Sequence, residues 1–418
     1  MLQAVLPIRT LLLAIFMMMA GTGFLATLLS VRMERDGISS LLIGLVATAY
    51  FLGLTIGSLR AASVIQRVGH IRSFASFVSI YSASTLAYAI HQDVMFWSML
   101  RFVDGFCMAG VFICLESWLN EKAEVSTRGA ILASYMVATF SGQAIGQLLL
   151  TTGEHLPSLP FMLAAIVLSL AVVPVALTRI SQPGLGDQPS FSLRRLYDIS
   201  PLGVTGAMAA GVMLGAFYGL GAVYAAKLGL TLTATAFFMT VVISGGVLLQ
   251  WPLGWLSDRY DRRLVIVGCF AATFVVCMAL TFVASPGLTL LILAMAFGGI
   301  AFALYPLCVS HANDQVELDE RVGASGGLVL VYSVGAAIGP LFAAATMTVF
   351  GGPGLFLFIG VCAGGAALFA YWRHWIGSPI PTEAQQPFQS FPNTTPMSAT
   401  LDPTPESEAE DSADAAAS

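Results

Sequence analysis

Residues 254–263 read GWLSDRYDRR, a short run with three arginines and two aspartates. It stands between two long apolar stretches, residues 232–256 and 264–283. A helix that spans a bilayer needs about 20 mostly apolar residues, so the charged run is predicted to join two spans. Of the 418 residues, 57% are hydrophobic and 10% are charged, against about 45–50% and 25% in soluble domains. This composition excludes an ordinary soluble enzyme, a nucleic-acid binder and a disordered protein.

Twelve apolar stretches of this kind predict an all-α polytopic membrane protein. They lie at residues 10–31, 39–60, 71–91, 94–118, 129–150, 159–178, 201–226, 232–256, 264–283, 287–311, 322–348 and 353–375. The runs are continuous and not alternating, which excludes a transmembrane β-barrel. The first run is longer than the apolar core of a signal peptide, about 7–15 residues, and is therefore predicted to be the first span.

The basic residues orient these spans. With the N-terminus inside, the inner loops and span ends collect 14 of the 18 basic residues and the outer ones only three. Cytoplasmic loops of membrane proteins carry such an excess of Lys and Arg. Both termini are therefore predicted to be cytoplasmic.

The chain divides into two bundles joined by a linker and followed by a tail. The predicted units are an N-terminal six-helix bundle (1–178), a cytoplasmic linker (179–200), a C-terminal six-helix bundle (201–375) and a tail (376–418). The tail is rich in Pro, Ser, Ala and Glu and has no periodicity, which is typical of disorder. From residue 377 onward it has seven acidic residues and no Lys or Arg.

The two bundles repeat each other at an offset of 192–193 residues. The matched pairs are Gly105 with Gly298, Ser117 with Ser310, Asn120 with Asn313, Glu121 with Asp314, Arg128 with Arg321, Gly142 with Gly335 and Gly146 with Gly339. Halves of equal orientation are parallel repeats, an architecture that places a substrate site near the middle of the membrane between the halves.

The run from Gly254 to Arg263 resembles the cytoplasmic-loop signature of the major facilitator superfamily, G-x-x-x-D-R-x-G-R-R, with Asp261 where glycine is usual. The equivalent loop of the first half keeps Arg67 and Gly69 but has Gln66 in the acidic position. The resemblance implies a gating loop. Its residues would be Gly254, Asp258, Arg259, Arg262, Arg263, Arg67 and Gly69. A stop-transfer cluster that fixes topology is the alternative.

In the fourth span, Arg101-Phe-Val-Asp104-Gly105 resembles the R-x-x-x-G motif of the same superfamily. The surrounding residues, including Glu116-Ser-Trp-Leu-Asn120, are similar to the bacterial YcaD-type branch. The resemblance covers nearly the whole chain except the tail. It implies the major facilitator fold of twelve helices in two parallel six-helix repeats, and a transport function.

Arg101, Asp104 and Glu116 are the strong charges within the predicted spans. Charged residues at a helix centre are costly, by about 2.5–3.5 kcal/mol on the lower scales. The second half has Ala294, Phe297 and Val309 at the matching positions. We therefore interpret the three charged residues as a proton-coupling set, in which Asp104 titrates and Arg101 tunes it. A static ion pair is the alternative, and Glu116, twelve residues beyond Asp104, need not share their helix face.

Other residues are candidates for the cavity wall or for helix packing. Polar side chains in the spans that are predicted to line a cavity are Tyr50, Gln143, Tyr218, Gln250, Tyr305 and Tyr332. Small residues and the Gly-Pro pair that are predicted to allow close packing are Gly105, Gly142, Gly146, Gly335, Gly339 and Pro340. For each polar residue alone, an inter-helix hydrogen bond is the alternative.

These observations predict a secondary transporter of a small organic solute in a bacterial inner membrane, working by alternating access and coupled to protons. No nucleotide-binding loop, catalytic triad spacing or metal-ligand spacing occurs in the sequence, so neither an enzyme, a cofactor, a metal nor a nucleic-acid partner is expected. The resemblance to the superfamily implies a monomer. The sequence leaves import and export open. The alternatives are an uncoupled facilitator and a membrane sensor that keeps the fold without transporting.

Overall fold

The computed structural model of the chain describes residues 6–123, 127–154, 156–178, 192–317, 320–376, 385–390 and 392–401. Within these ranges it is built from fourteen α-helices. They are α1 Arg9–Thr22, α2 Leu25–Arg35, α3 Ser40–Val68, α4 His70–Ile90, α5 Val94–Lys122, α6 Arg128–Gln147, α7 Leu159–Ala176, α8 Leu193–Ile199, α9 Pro201–Lys227, α10 Leu232–Arg259, α11 Arg262–Thr281, α12 Leu288–Asn313, α13 Arg321–Phe350 and α14 Gly354–Ile376. Short 3₁₀ helices at Leu148–Glu154 and Pro396–Leu401 add to them.

Eleven helical segments of the described part are long and apolar enough to cross a membrane. The first of them, Arg9–Arg35, combines α1 and α2. The predicted fifth span corresponds to α6, which is helical but is not among the eleven. Its sequence contains Ser134, Thr139, Ser141 and Gln143, which lower its hydropathy. The multi-pass membrane fold is confirmed, and the count of twelve spans stays a prediction.

Polar side chains and one glycine mark the ends of the spans. Ser39, Asp93 and Thr231 precede α3, α5 and α10, and each side chain accepts a hydrogen bond from a backbone N–H in the first turn. Such caps satisfy N–H groups that have no partner inside the helix. Gly69 separates α3 from α4 with a φ of 92°, a conformation that glycine adopts without steric cost.

The repeat seen in the sequence is also a repeat of helix contacts. A Cβ at Gly105 of α5 would overlap the carbonyl oxygen of Tyr50 in α3, and a Cβ at Gly298 of α12 would overlap that of Val242 in α10. The remaining glycines of the predicted packing set show the same correspondence: Gly142 and Gly146 bring α6 against α1, and Gly335 and Gly339 bring α13 against α9. The two halves therefore use matched glycines for matched close approaches.

The helices have two ends, which we name by their loops. The linker end carries the loops near residues 69, 123–127, 260 and 314–320; the opposite end carries those near residues 36–39, 91–93, 228–231 and 351–353. Between the middle of the helices and the opposite end, the halves touch directly. Ser30 Oγ donates to Gly219 O over 2.9 Å, Thr48 Oγ1 donates to Ala337 O over 2.9 Å, and Lys227 Nζ lies 2.8 Å from Glu34 Oε1.

At the linker end a segment of the tail lies between the halves. The 3₁₀ helix Pro396–Leu401 packs against α5 of the first half and α13 of the second. Thr395, Ala399 and Leu401 are each at most 1% exposed. The prediction of a disordered tail is therefore wrong for residues 385–390 and 392–401, because apolar and hydroxyl side chains of this segment are buried in the bundle. The acidic part of the tail, 402–418, lies outside the described residues.

Candidate functional site

A cavity of about 180 Å³ lies between the two halves. Its wall comes from α1–α6, α9, α10, α12, α13 and residues 392–394 of the tail, so both halves contribute. The six side chains predicted to line a cavity all line this one: Tyr50, Gln143, Tyr218, Gln250, Tyr305 and Tyr332. The structure brings them together, and their role in binding a solute stays a prediction.

The cavity wall combines aromatic faces with neutral hydrogen-bonding groups. The rings of Tyr305 and Tyr332 meet edge to face with centroids 5.0 Å apart. The hydroxyl of Tyr218 donates to Gln143 Oε1 across the two halves over 3.4 Å. Tyr218 also lies edge to face with Phe302, with centroids 5.9 Å apart. Such a wall suits a solute with an apolar, ring-like body and a few hydrogen-bonding groups.

Arg101 is the positive charge in the cavity wall. Its side chain is 5% exposed, and its guanidinium carbon lies 4.1 Å from the centroid of the Tyr50 ring. Its Nη1 is 3.9 Å from Asp104 Oδ2, the outer limit of an ion pair. A charge buried in a bundle requires compensation, and here an aromatic face and one carboxylate supply it.

Asp104 lies behind Arg101 and away from the cavity. It is fully buried. Ser84 Oγ donates to its Oδ1 and Tyr88 OH donates to its Oδ2, each over 2.5 Å. The donors come from α4 and the carboxylate from α5, so the carboxylate joins these helices. Arg101 therefore lines the cavity and is also paired with Asp104.

The second half replaces this polar cluster with an aromatic core. Phe297, which matches Asp104 in the repeat, is fully buried. Its ring centroid lies 5.3 Å from that of Phe217 and 5.4 Å from that of Phe356. Ala294, which matches Arg101, is also fully buried. The fold therefore does not need an ion pair at this position, which distinguishes Arg101 and Asp104 from a duplicated structural pair.

Glu116 belongs to a different place in the structure. It lies about 18 Å along α5 from Asp104, at 1.5 Å per residue, and it is fully buried. Tyr135 OH donates to its Oε1 over 2.9 Å. Thr394 and Thr395 of the tail also donate to its carboxylate. The predicted grouping of Glu116 with Arg101 and Asp104 is not found, because the helix carries it toward the linker end and the tail segment covers it.

The predicted gating loop forms a charged cluster in the second half. Arg262 is fully buried; its Nη1 lies 2.6 Å from Asp314 Oδ2, and its Nη2 lies 3.1 Å from Asp258 Oδ1. Gly254 lies directly under the ring of Phe388 from the tail. The guanidinium of Arg259 lies 4.2 Å from the Trp255 ring centroid. The cluster therefore joins α10, α11 and α12 at the linker end.

Two neighbouring parts of the predicted loop lie outside that cluster. Arg263 forms its own pair with Asp261, with Nη2 and Oδ2 3.0 Å apart. Burial acts to raise the pKa of Asp261, but the hydrogen bonds and charge of Arg263 prevail and lower it below its usual range. In the first half, Arg67 is exposed on α3 and Gly69 forms the turn to α4. The copy of the motif in the second half therefore forms buried ion pairs, whereas Arg67 of the first-half copy is exposed.

The sequence profile of the Major Facilitator Superfamily matches residues 11–248 and, in a second match, 202–401. The chain belongs to the major facilitator superfamily. A family relative in Salmonella enteritidis PT4, the uncharacterized MFS-type transporter YcaD, is 30% identical over 359 residues, which cover 84% of this chain and 92% of the relative. YcaD of Salmonella newport matches to the same extent.

Solved structures of family transporters show the same fold. A variant of the nucleoside transporter NupG superposes with a TM-score of 0.75 at 14% identity, covering 87% of this chain and 98% of that one. A bacterial homolog of the human lysosomal transporter Spinster, described as inward-facing and occupied, gives a TM-score of 0.69 at 13% identity, covering 92% and 98%. The Escherichia coli fucose:proton symporter FucP gives 0.58 at 17% identity, covering 88% and 99%.

Some residues of the site were missed by the sequence analysis although a signal was available. Tyr81, Ser84 and Tyr88 recur at spacings of three and four in the third span, so they share one face of α4. That face meets Asp104. Asp314 was visible only as the match of Glu121 in the repeat, and its pairing with Arg262 required the structure.

Proposed function

We propose that this chain is a proton-coupled secondary transporter of a small organic solute in a bacterial inner membrane, with both termini in the cytoplasm and a monomer as the working unit. The observation that carries the proposal is the cavity between the two halves, whose described wall contains Arg101 backed by the buried Asp104. Family membership supports transport.

Alternating access is supported by the placement of contacts between the halves. The direct contacts named above, made by Ser30, Thr48 and Lys227, lie between the middle of the helices and the opposite end. At the linker end, a piece of the tail occupies the space between α5 and α13. A rocking motion that parts the first set of contacts and brings the linker end together would expose the cavity to the other side.

Proton coupling is assigned to Asp104 through Arg101. While Asp104 is charged, it attracts the guanidinium of Arg101 from behind the cavity wall. Protonation of Asp104 removes that attraction and leaves Arg101 free to bind an acceptor group of the solute. Solute and proton thereby act on the same arginine, which is the requirement for coupling two ligands.

The chemistry of the cavity wall supports a solute that combines the hydrogen-bonding groups of a sugar with the ring of an aromatic metabolite. Tyrosine and amide groups offer neutral hydrogen bonds, the ring faces offer stacking, and Arg101 offers one positive charge. Nucleosides fit this description, and NupG, a nucleoside transporter, has the same fold. FucP, a fucose:proton symporter, is an example of coupling to protons in this fold.

The test is transport by purified protein in liposomes that contain a trapped pH dye. Nucleosides, sugars, aromatic acids and hydrophobic cations are added in separate pools, with and without a proton gradient. We expect one pool to produce a solute-dependent pH change in wild type and none in Asp104→Asn. Asp36→Asn is the matched control, because Asp36 is an exposed acid at the opposite end.

Solute counterflow separates loss of coupling from loss of the protein. Exchange of labelled for unlabelled solute requires no net proton movement, so we expect Asp104→Asn to retain it. Uptake without any pH change in wild type would refute proton coupling and favour the facilitator. Absence of flux and of solute binding in every pool would refute transport of these solute classes and favour the sensor.

A further inference from the structure

The tail segment, which we define as residues 386–401, runs from the second half across the linker end to the first half. Of it, residues 386–390 and 392–401 are described. It has no acidic residue, in contrast to residues 402–418, which contain six. Phe388, Pro392, Met397 and Leu401 instead give it apolar positions. The two parts of the tail therefore differ in chemistry, and only the first is suited to burial in the protein.

The start of the tail segment is clamped by the charged cluster of the second half. The backbone N–H of Gln386 donates to Asp314 Oδ1 over 2.9 Å, and its carbonyl accepts from Arg262 Nη2 over 2.6 Å. The backbone N–H of Phe388 donates to Asp258 Oδ1 over 2.8 Å. These are charge-assisted hydrogen bonds, the stronger kind. The cluster thus binds the backbone of the tail segment, while Gly254 leaves room for the phenyl ring of Phe388.

The middle of the tail segment enters the cavity. Pro392, Asn393 and Thr394 form part of the cavity wall. The cavity volume of about 180 Å³ is below the roughly 300–1,000 Å³ of ligand pockets. The tail segment therefore takes up space on the linker side of the solute cavity.

The far part of the tail segment is anchored to the first half through Glu116. The hydroxyls of Thr394 and Thr395 donate to the two carboxylate oxygens. A carboxylate only accepts hydrogen bonds, and it has about four acceptor positions. Of the three donors named at Glu116, two come from the tail segment and one from Tyr135. Release of the tail segment would remove two of these three donors and leave their acceptor positions to water or to another ligand.

We propose that the linker-end mouth of the cavity is a peptide-binding site, with Glu116 on one side and the Asp258–Arg262–Asp314 cluster on the other, and that the tail segment is its resident ligand and an autoinhibitor of transport. The proposal rests on the proposed transport function for its consequence, but not for the binding site itself. The bound segment blocks the path from the cavity to the linker end. It also stands between α5 and α13 and prevents the linker end from closing.

The site gives a reason why the copy of the loop motif that keeps its aspartate and arginines is in the second half. Asp258 and Arg262 there bind the backbone of the tail segment, which comes after α14 of the same half in the sequence. The first half has Gln66 and His70 at these places and contributes Glu116 instead. The asymmetry of the repeat thus matches an asymmetric ligand.

The first experiment measures access to the cavity and does not depend on transport. Thr139, which lines the cavity, is changed to Cys and labelled with a maleimide in purified protein. Labelling is compared between the full chain, a chain that ends at Gln385, and a full chain with Thr394→Val and Thr395→Val. We expect labelling to be about tenfold faster or more in both altered chains, because one lost hydrogen bond to a charged group corresponds to about a tenfold loss of occupancy.

The controls separate release of the tail segment from unfolding. Gln92→Cys, at an exposed position of the opposite end, should label at the same rate in all three chains. A faster rate at this position as well would mean general loosening and would overturn the interpretation. An unchanged rate at Thr139→Cys in both altered chains would overturn the proposal directly.

The second experiment supplies the tail segment as a separate peptide. A synthetic peptide of residues 386–401 is added to the chain that ends at Gln385. The tethered segment experiences an effective concentration of about millimolar, so the free peptide is tested up to that level. We expect it to slow labelling of Thr139→Cys to the full-chain rate, and Glu116→Gln to weaken this effect. A peptide with both threonines replaced by valine should be inactive, and equal activity of the two peptides would refute the site.

Transport is measured last, so that the two proposals can fail separately. We expect the chain that ends at Gln385 to transport several-fold faster than the full chain, and the peptide to reverse this from the linker side. Labelling and peptide results as expected, with no flux in any chain, would overturn the transport function and leave the binding site standing. Flux in the full chain that neither truncation nor peptide changes would overturn autoinhibition.

Discussion

The contact between α3 and α13 at the opposite end allows a quantitative test of alternating access. A Cβ at Gly44 would lie 2.7 Å from the carbonyl oxygen of Pro340 and 2.7 Å from the Cβ of Ala344. Carbon atoms in comfortable contact lie about 3.5–4.0 Å apart. Neither neighbour is the end of a flexible side chain, so Gly44→Ala requires the two helices to separate by about 1 Å.

The expected cost follows from this overlap. Overpacking by one carbon in a tight interface costs about 1–3 kcal/mol. The cost applies only to the conformation in which α3 and α13 touch at this end. At about 1.4 kcal/mol per factor of ten, the equilibrium should shift about 5- to 140-fold toward the conformation in which the opposite end is open.

The assay is a distance measurement by electron paramagnetic resonance. Spin labels are placed at Leu156 and Leu288, which are exposed at the opposite end in different halves, with 58% and 73% of their surface accessible. We expect the longer-distance population to grow in Gly44→Ala. Gly268→Ala is the matched control, because no atom lies within 4 Å of its added Cβ. A distance distribution that is equal in wild type, Gly44→Ala and Gly268→Ala would refute the reasoning.

Three further predictions concern contacts described above. With the same spin labels, Lys227→Glu should open the opposite end by repulsion from Glu34. The exchanged pair Lys227→Glu/Glu34→Lys should close it again. Failure of the exchange to restore the distances would contradict the claim that this ion pair holds the opposite end closed. Gly105→Val should lower the midpoint of thermal unfolding of purified protein by several degrees, whereas Gly268→Val should change it little, and similar losses in both would show that helix crossing is not limiting. The pKa of Asp261 is lowered, so its charged form stabilises the fold above about pH 4, and this contribution falls as the pH is lowered further. Asp261→Asn should therefore lower the unfolding midpoint more at pH 7 than at pH 3, and an equal loss at both values would refute the ion pair.

The fold could be predicted from the sequence because the properties that decide it depend on residues close together in the chain. Span length, the positive charges at span ends and the spacing of repeated residues each require only a few neighbouring positions. The matched glycines are the clearest example: Gly105 and Gly298 were paired by offset alone, and both allow a close helix crossing. The fifth span was the difficult one, because α6 faces the cavity with Thr139 and Gln143 and is therefore less apolar.

The site was predicted in its parts but not in its arrangement. The six polar side chains of the cavity were found because polar groups in spans are unusual. Glu116 was grouped with Arg101 and Asp104 as a charge within a span, although its position twelve residues beyond Asp104 already indicated a different level of the helix. The structure shows that Arg101 faces the cavity and Asp104 faces α4, a distinction that depends on helix rotation. The tail segment escaped detection because it binds charged side chains through its own backbone groups and threonine hydroxyls, which leave no periodic pattern in the sequence.

The break in the first span has a mechanical consequence. Between α1 and α2, the carbonyl oxygen of Gly23 accepts a hydrogen bond from Gln147 Nε2 over 2.8 Å. α1 packs on α6 and α7, whereas α2 reaches α9 through Ser30 and Glu34. A rotation that parts the halves at the opposite end must bend the first span at Gly23 or detach α2 from α9. The boundary between the two halves that move relative to each other therefore passes through the first membrane-spanning segment. It does not coincide with the linker that separates the two bundles in the sequence.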